Sequence, residues 1–293
     1  GMTWWADYNI VYDESKGCSM DLSAWVSIIN RSGAGYEDAR LKLIAGDVNR
    51  AQPQSQRRDV VYKMAMAEDA AAPFTEKAFF EYHLYTLDRP ANLPDNSTKQ
   101  LQLFPTARGV SCDKELVFAP TMDMPYYGYQ QLDQEYGRYG NGDVNVYLRF
   151  KNEKSRQLGM PLPAGRIRVM QQDPADDSLE FIGEDVIDHT PRNEEVLIEM
   201  GNAFDVVGER KQTDFRIDTR TRNLWETFEI RLRNHKDEAV EVAVLENLYR
   251  MANWEIENAS QRHSKENSNR IRFTARIPAE GETVIRYTAH YSW

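Results

Sequence analysis

Five histidines and two cysteines have the widest chemical reach in this chain, and their spacing limits what they can do. A zinc protease needs two histidines one helical turn apart with a glutamate beside the first, and no histidine pair here has that spacing. A serine hydrolase sets its nucleophile in a G-x-S-x-G turn, which is absent, and no glycine-rich phosphate loop carries a lysine. Cys112 with His83 or His189 would make a thiolate–imidazole pair if folding joined them. Nothing in the local sequence joins them, so a quiet thiol is the plainer reading. Cys18 and Cys112 stand 94 positions apart, too few and too far for a zinc ribbon or a disulfide-dense scaffold. Two unpaired thiols are expected first, with a single disulfide in an oxidising compartment as the alternative.

His189 has carboxylates close by in sequence, at Glu184, Asp185 and Asp188. Carboxylates raise an imidazole pKa and could build an acid–base site. The preferred expectation is that they decorate a strand and its turn while His189 hydrogen-bonds at the strand end. Calcium needs oxygen ligands at alternate loop positions, as Asn141, Asp143 and Asn145 offer, but the rest of a helix-loop-helix site is missing. Asp173, Asp176 and Asp177 make a second acidic loop, and both loops read as solvated turns. The most unusual composition is Tyr126, Tyr127 and Tyr129, continuing through Tyr136 and Tyr139. Tyrosine offers a flat apolar face and a hydroxyl at low entropic cost, which suits protein or sugar surfaces. The spacing is aperiodic, so this is a loop, and these five tyrosines are the candidate ligand-binding residues. No catalytic residue, metal ligand or cofactor is assigned.

The elements that must carry these residues are strands. Leu22, Ala24, Val26 and Ile28 alternate with polar or outward positions, as do Val144, Val146, Leu148 and Phe150. Phe228, Ile230 and Leu232 alternate with Glu229, Arg231 and Arg233; the runs Ile271 to Ile277 and Ile285 to Trp293 repeat the pattern. A period of two buries one face and wets the other, as antiparallel sheets do. Turn residues separate the runs, and Asp173 to Asp177 and Pro278 to Gly281 read as hairpin connections. Val60 to Ala72 is the one helical candidate, with a mobile excursion between strands as the equal alternative. The expected fold is all-β: two antiparallel β-sandwich parts, the C-terminal one immunoglobulin-like, with little helix. Residues 1–195 form the expected N-terminal sandwich, with a long insertion near 51–75, and residues 196–293 the C-terminal one.

Composition excludes other classes. With 41% apolar and 11% aromatic residues among 293, the chain is too rich in core formers to be disordered. Apolar runs are short, Ala24 to Ile29 being typical, so no membrane-spanning helix is expected. A net charge of −10 argues against nucleic acid as the main partner. Residues 196–293 sum to −1, so the first part carries the acidity and is where a cationic ligand would go. C-terminal Arg and Glu at outward positions are expected to pair across strands. The opening Gly1-Met2-Thr3-Trp4-Trp5 does not read as a signal peptide, and Gly1 ahead of Met2 reads as a tag remnant, which leaves open what precedes it.

Leu22 to Val26, Asn30 to Gly33 and Ala39 to Arg50 follow in an order that resembles the bacterial domain of unknown function 4139 family. Phe80 to Tyr85, Pro161 to Val169, Gly201 to Val206, Arg231 to Lys236 and the aromatic C-terminal strand extend the resemblance over nearly the whole chain. Mucoidy-inhibitor-like proteins contain a related domain with an added N-terminal coiled-coil region, of which residues 1–293 show no counterpart. The resemblance implies an extracytoplasmic protein, periplasmic or at the cell surface, and assigns no activity to any residue. The expected function is non-enzymatic binding or assembly in the bacterial cell envelope, with an unidentified protein or polysaccharide as partner. The alternatives are a hydrolase-type enzyme using scattered carboxylates with His189 or His83, and a calcium-stabilised adhesion module.

Overall fold

The computed structural model describes residues 1–14, 17–46, 74–121, 124–125, 127–138 and 140–293. Its strands are β1 (Met2–Asp13), β2 (Ser19–Asn30), β3 (Tyr36–Ala39), β4 (Lys42–Ala45), β5 (Phe74–Phe79), β6 (Tyr82–Leu87), β7 (Ala91–Leu93), β8 (Ser97–Ser111), β9 (Asp113–Phe118) and β10 (Asp143–Lys151). The remainder are β11 (Gly165–Gln172), β12 (Leu179–Ile187), β13 (Glu195–Asp218), β14 (Asn223–Asn234), β15 (Val240–Asn247), β16 (Trp254–Glu257), β17 (His263–Asn267), β18 (Arg270–Ile277) and β19 (Gly281–Ser292). One 3-10 turn, Lys154–Arg156, is the only helical element among the described residues, and the expected all-β, sandwich-like fold is what the chain adopts. No helix among them is long and apolar enough to cross a membrane. The helix expected over Val60 to Ala72 and most of the 51–75 insertion lie outside the described residues; residues 74 and 75 open β5.

Where the sequence reading has one boundary at 195/196, the chain passes between two compact units three times. The first unit is Gly1–Asp113 with Leu148–Glu199, and the second is Lys114–Tyr147 with Met200–Trp293.

In the first unit a five-stranded sheet has the order β12-β11-β1-β2-β8, accompanied by β3-β7 and β4-β6-β5. Leu22, Ala24, Val26 and Ile28 are buried, as their alternation requires. β11 and β12 form the expected hairpin, and the Asp173 and Asp176 carboxylates accept from the Ala175 and Ser178 amides at 2.8 and 3.0 Å. These acidic residues therefore build a turn. β1 and β11 run parallel, an exception to the antiparallel expectation that their distance in sequence allows. Asn30 is buried at the end of β2 and donates to Ala34, Leu93 and Pro94 carbonyls, tying two turns together. Cys18 and Cys112 are joined in a disulfide with Cα atoms 4.9 Å apart. This corrects the expectation of unpaired thiols. β2 and β8 are sheet neighbours, with Ser19 opposite Ser111, so pairing brings the two cysteines together.

In the second unit nine strands follow the order β16-β19-β14-β13-β10-β9-β15-β18-β17. Phe273 of β18 and Tyr287 of β19 have five strands between them in that order, yet their ring centroids lie 5.5 Å apart. The sheet therefore folds over on itself into two facing layers. Phe228, Ile230, Val242, Val244, Ile271 and Ile285 fill the space between them. Pro278 to Gly281 is consequently not a hairpin: β18 pairs with β15 and β17, and β19 with β14 and β16. Both strands alternate correctly, but alternation says only which face is buried, and here the two buried faces look at each other. β9 and β15 are a second parallel pair. Asn234 repeats the Asn30 device, donating to Glu238 and Pro278 carbonyls at 2.8 and 3.0 Å.

Candidate functional site

The tyrosine segment lies in the second unit, in the connection between β9 and β10. Tyr126 and Tyr139 lie outside the described residues. Tyr127 and Tyr129 are 53% and 62% exposed, with ring centroids 5.8 Å apart. Tyr127 also meets Tyr136 at 6.2 Å, and Tyr136 meets the edge of buried Tyr249 at 5.6 Å. The rings thus form a chain from solvent to core. The Tyr136 hydroxyl donates to the Pro125 carbonyl at 2.6 Å, closing the loop on itself. Burial and the neighbouring Tyr127 and Tyr129 push the Tyr136 phenol above its ordinary pKa, so it stays a neutral donor.

Two arginines hold the loop from below. Arg250 is fully buried, and its guanidinium donates to the carbonyls of Gln131, Asp133, Gln134 and Tyr136 at 2.8, 2.7, 3.4 and 3.0 Å. Arg210 donates to the Gly137 carbonyl at 2.8 Å, and the Tyr249 hydroxyl donates to the same oxygen at 3.1 Å. A carbonyl-rich loop is thereby fastened by charge-assisted bonds, roughly twice as strong as neutral ones. Gly137 has φ +71°, and any Cβ there would run into the Tyr249 ring, so only glycine fits.

Buried guanidiniums need counter-charges. Arg250 meets Glu226 at 2.8 Å and Arg210 meets Glu246 at 2.9 Å, all four side chains being nearly inaccessible. Gln212 donates to Glu226 at 2.9 Å, and the Tyr287 hydroxyl donates to Glu246 at 2.5 Å. Burial pushes the Glu246 carboxyl up while Arg210 and Tyr287 pull it down, and the net shift is upward. Burial opposes the charge on Arg210, but Glu246, Tyr287 and Tyr249 together more than restore it. The Arg210 side chain also lies over the Phe228 ring at 3.6 Å. Arg210 Nη2, Glu226 Oε2 and Arg250 Nε are buried without a partner, so this network costs folding free energy. These four buried residues are charges that the sequence reading did not single out. Glu229 and Arg286 do pair on the outer face, at 2.7 Å.

The other sequence candidates fare differently. His83 and His189 both line a cavity of about 170 Å³ in the first unit, together with Glu81. His83 Nδ1 lies 2.7 Å from Glu76, whereas His189 Nδ1 accepts from the Ala164 amide at 3.0 Å. Two of the carboxylates near His189 in sequence point elsewhere. Glu184 faces Arg168 at 3.4 Å, and Asp185 accepts from the Val186 and Glu199 amides. Thr190, the polar hydroxyl of the rim, donates to the Asp188 carbonyl at 2.9 Å. Cys112, being disulfide-bonded, offers no thiolate. Asn141 accepts from the Asp143 amide at 3.1 Å, a local turn rather than an ion cage. A larger cavity of about 680 Å³ opens beside Tyr12, Asp13, Glu14, Asp21 and Asp177, on the acidic part of the chain. Burial, then Glu14 and Asp13, push Tyr12 up to about 12.

No family model matches the chain, and no curated protein matches it in sequence.

Proposed function

We propose that this is a non-enzymatic binding or assembly protein of the bacterial cell envelope, and that it recognises its partner through Tyr127, Tyr129 and the loop that carries them. The observation behind this reading is a pair of exposed rings on a loop whose backbone is fastened by a buried arginine. Free exposed loops lose entropy when they bind; a loop already held in place loses less, so its rings deliver more of their contact energy as affinity. Tyrosine pairs present apolar faces with hydroxyl rims, suited to the flat faces of pyranose rings or to a polypeptide surface. The resemblance to the domain of unknown function 4139 family supports an extracytoplasmic setting, and the Cys18–Cys112 disulfide is compatible with one.

The test is retention of envelope polysaccharide fractions and envelope proteins on the immobilised full chain. Each of Tyr127→Ala and Tyr129→Ala is expected to weaken retention about tenfold, as hot-spot aromatics do. Retention that is undiminished in the double variant would assign recognition to another surface.

A further inference from the structure

A row of opposed residues crosses the outer face of the second unit. On neighbouring strands Arg216, Trp225, His290 and Glu255 stand directly opposite one another. Arg216 lies 3.9 Å over the Trp225 ring, and Trp225 stacks on His290 with centroids 4.7 Å apart and planes 4° from parallel. His290 Nδ1 then faces two carboxylates of the edge strand β16, Glu255 at 2.9 Å and Glu257 at 3.4 Å. One ligand atom from each of these three residues falls within 4.8 Å of the others.

The orientation of His290 is fixed from outside this trio. Asn223 Nδ2 donates to the Thr221 carbonyl at 2.8 Å, which turns its Oδ1 toward His290 Nε2, 2.7 Å away. Nε2 therefore carries a hydrogen, and Nδ1 is the atom aimed between the carboxylates. Two anions around Nδ1 call for positive charge at that point, which either a proton on the ring or a metal ion supplies. Metal-bound histidines are held in this way, the far ring nitrogen donating to an oxygen that sets tautomer and ring plane. A tetrahedral ion with arms of about 2.1 Å holds its ligand atoms about 3.4 Å apart, the His290–Glu257 separation, while Glu255 at 2.9 Å must move out slightly to admit it. Glu255 and Glu257 are 68% and 39% exposed, so an ion has access, while His290 at 17% is the fixed member.

We infer that Glu255, Glu257 and His290 bind one divalent transition-metal ion of the zinc type, which clips the four-residue edge strand β16 to β19. The imidazole favours zinc, cobalt or nickel over calcium and magnesium, which prefer all-oxygen cages. This site shares no residue with the tyrosine loop and does not depend on it.

Titration of the metal-free full chain with zinc, by calorimetry, and with cobalt, by its visible absorption and by quenching of Trp225, provides the test. One equivalent is expected to bind, and His290→Ala or the Glu255→Gln/Glu257→Gln pair is expected to abolish it. Asn223→Ala keeps every ligand yet is expected to weaken binding ten- to hundredfold. The two glutamate substitutions lie on an exposed edge, so that variant folds and gives a clean reading if His290→Ala does not. Binding at wild-type strength in either ligand variant, no binding at millimolar metal, or displacement of zinc by equimolar calcium would each overturn the assignment.

Discussion

Arg250 and Glu226 are charged groups placed where burial is most expensive, and their purpose is visible in what Arg250 touches. One guanidinium serves four loop carbonyls, and Glu226 neutralises it. Removing one member strands the other charge. Arg250→Ala is therefore expected to lower stability by about 3–5 kcal/mol in urea titration, whereas Tyr129→Ala changes it by less than about 0.5 kcal/mol. The apolar exchange Arg250→Met with Glu226→Leu separates the roles. It should recover most of the stability, since buried ion pairs are often replaceable, while leaving the four carbonyls without their donor and the partner weakly bound. Recovery of both would mean that the clamp is structural only. Part of this network was legible: Glu226 shares its parity with Phe228, Ile230 and Leu232, and Glu246 with Val242 and Val244, so each is a charge in an apolar register. Arg250 lies past the end of β15, where no periodicity marks it.

The strands themselves were the readable part of the sequence. β2, β14, β18 and β19 bury the residues that their alternation selects. Partner strands were not readable, because the same alternation serves a hairpin and two opposed layers; the Pro278 to Gly281 crossover and both parallel pairs follow from contacts far apart in sequence. Outward charges then fix neighbours locally. Arg286 and Arg231 hydrogen-bond Glu229 across and along β14 and β19, and they hold its carboxyl below the ordinary glutamate range. A lowered folded pKa contributes stability above the unfolded value, near 4.3, and that contribution disappears as pH falls through the folded value. Urea midpoints of the wild type and Glu229→Gln should therefore differ at pH 6, with a gap that starts to close near the unfolded value and vanishes only below the folded one. A gap that persists into acid would assign the difference to packing instead of charge.

At the scale of the whole chain, three crossings between units mean that covalent and packing constraints act on different stretches of one sequence. The disulfide closes a loop of 94 positions inside the first unit, from the start of β2 to the end of β8. A cross-link over that length restricts the unfolded chain most, so reduction or the Cys18→Ser/Cys112→Ser pair is expected to lower stability by about 2–4 kcal/mol. Its effect should also be local. The core of the second unit is built mainly from β9, β10, β13, β14, β15, β18 and β19 side chains and contains neither cysteine. Hydrogen exchange read strand by strand would accordingly show faster exchange in β1, β2, β8 and β11 after reduction, with Ile230, Phe273 and Tyr287 amides protected as before. Equal acceleration in both sets would mean that the two units open as one cooperative body, with β10 and β13, which run through both, transmitting the loss.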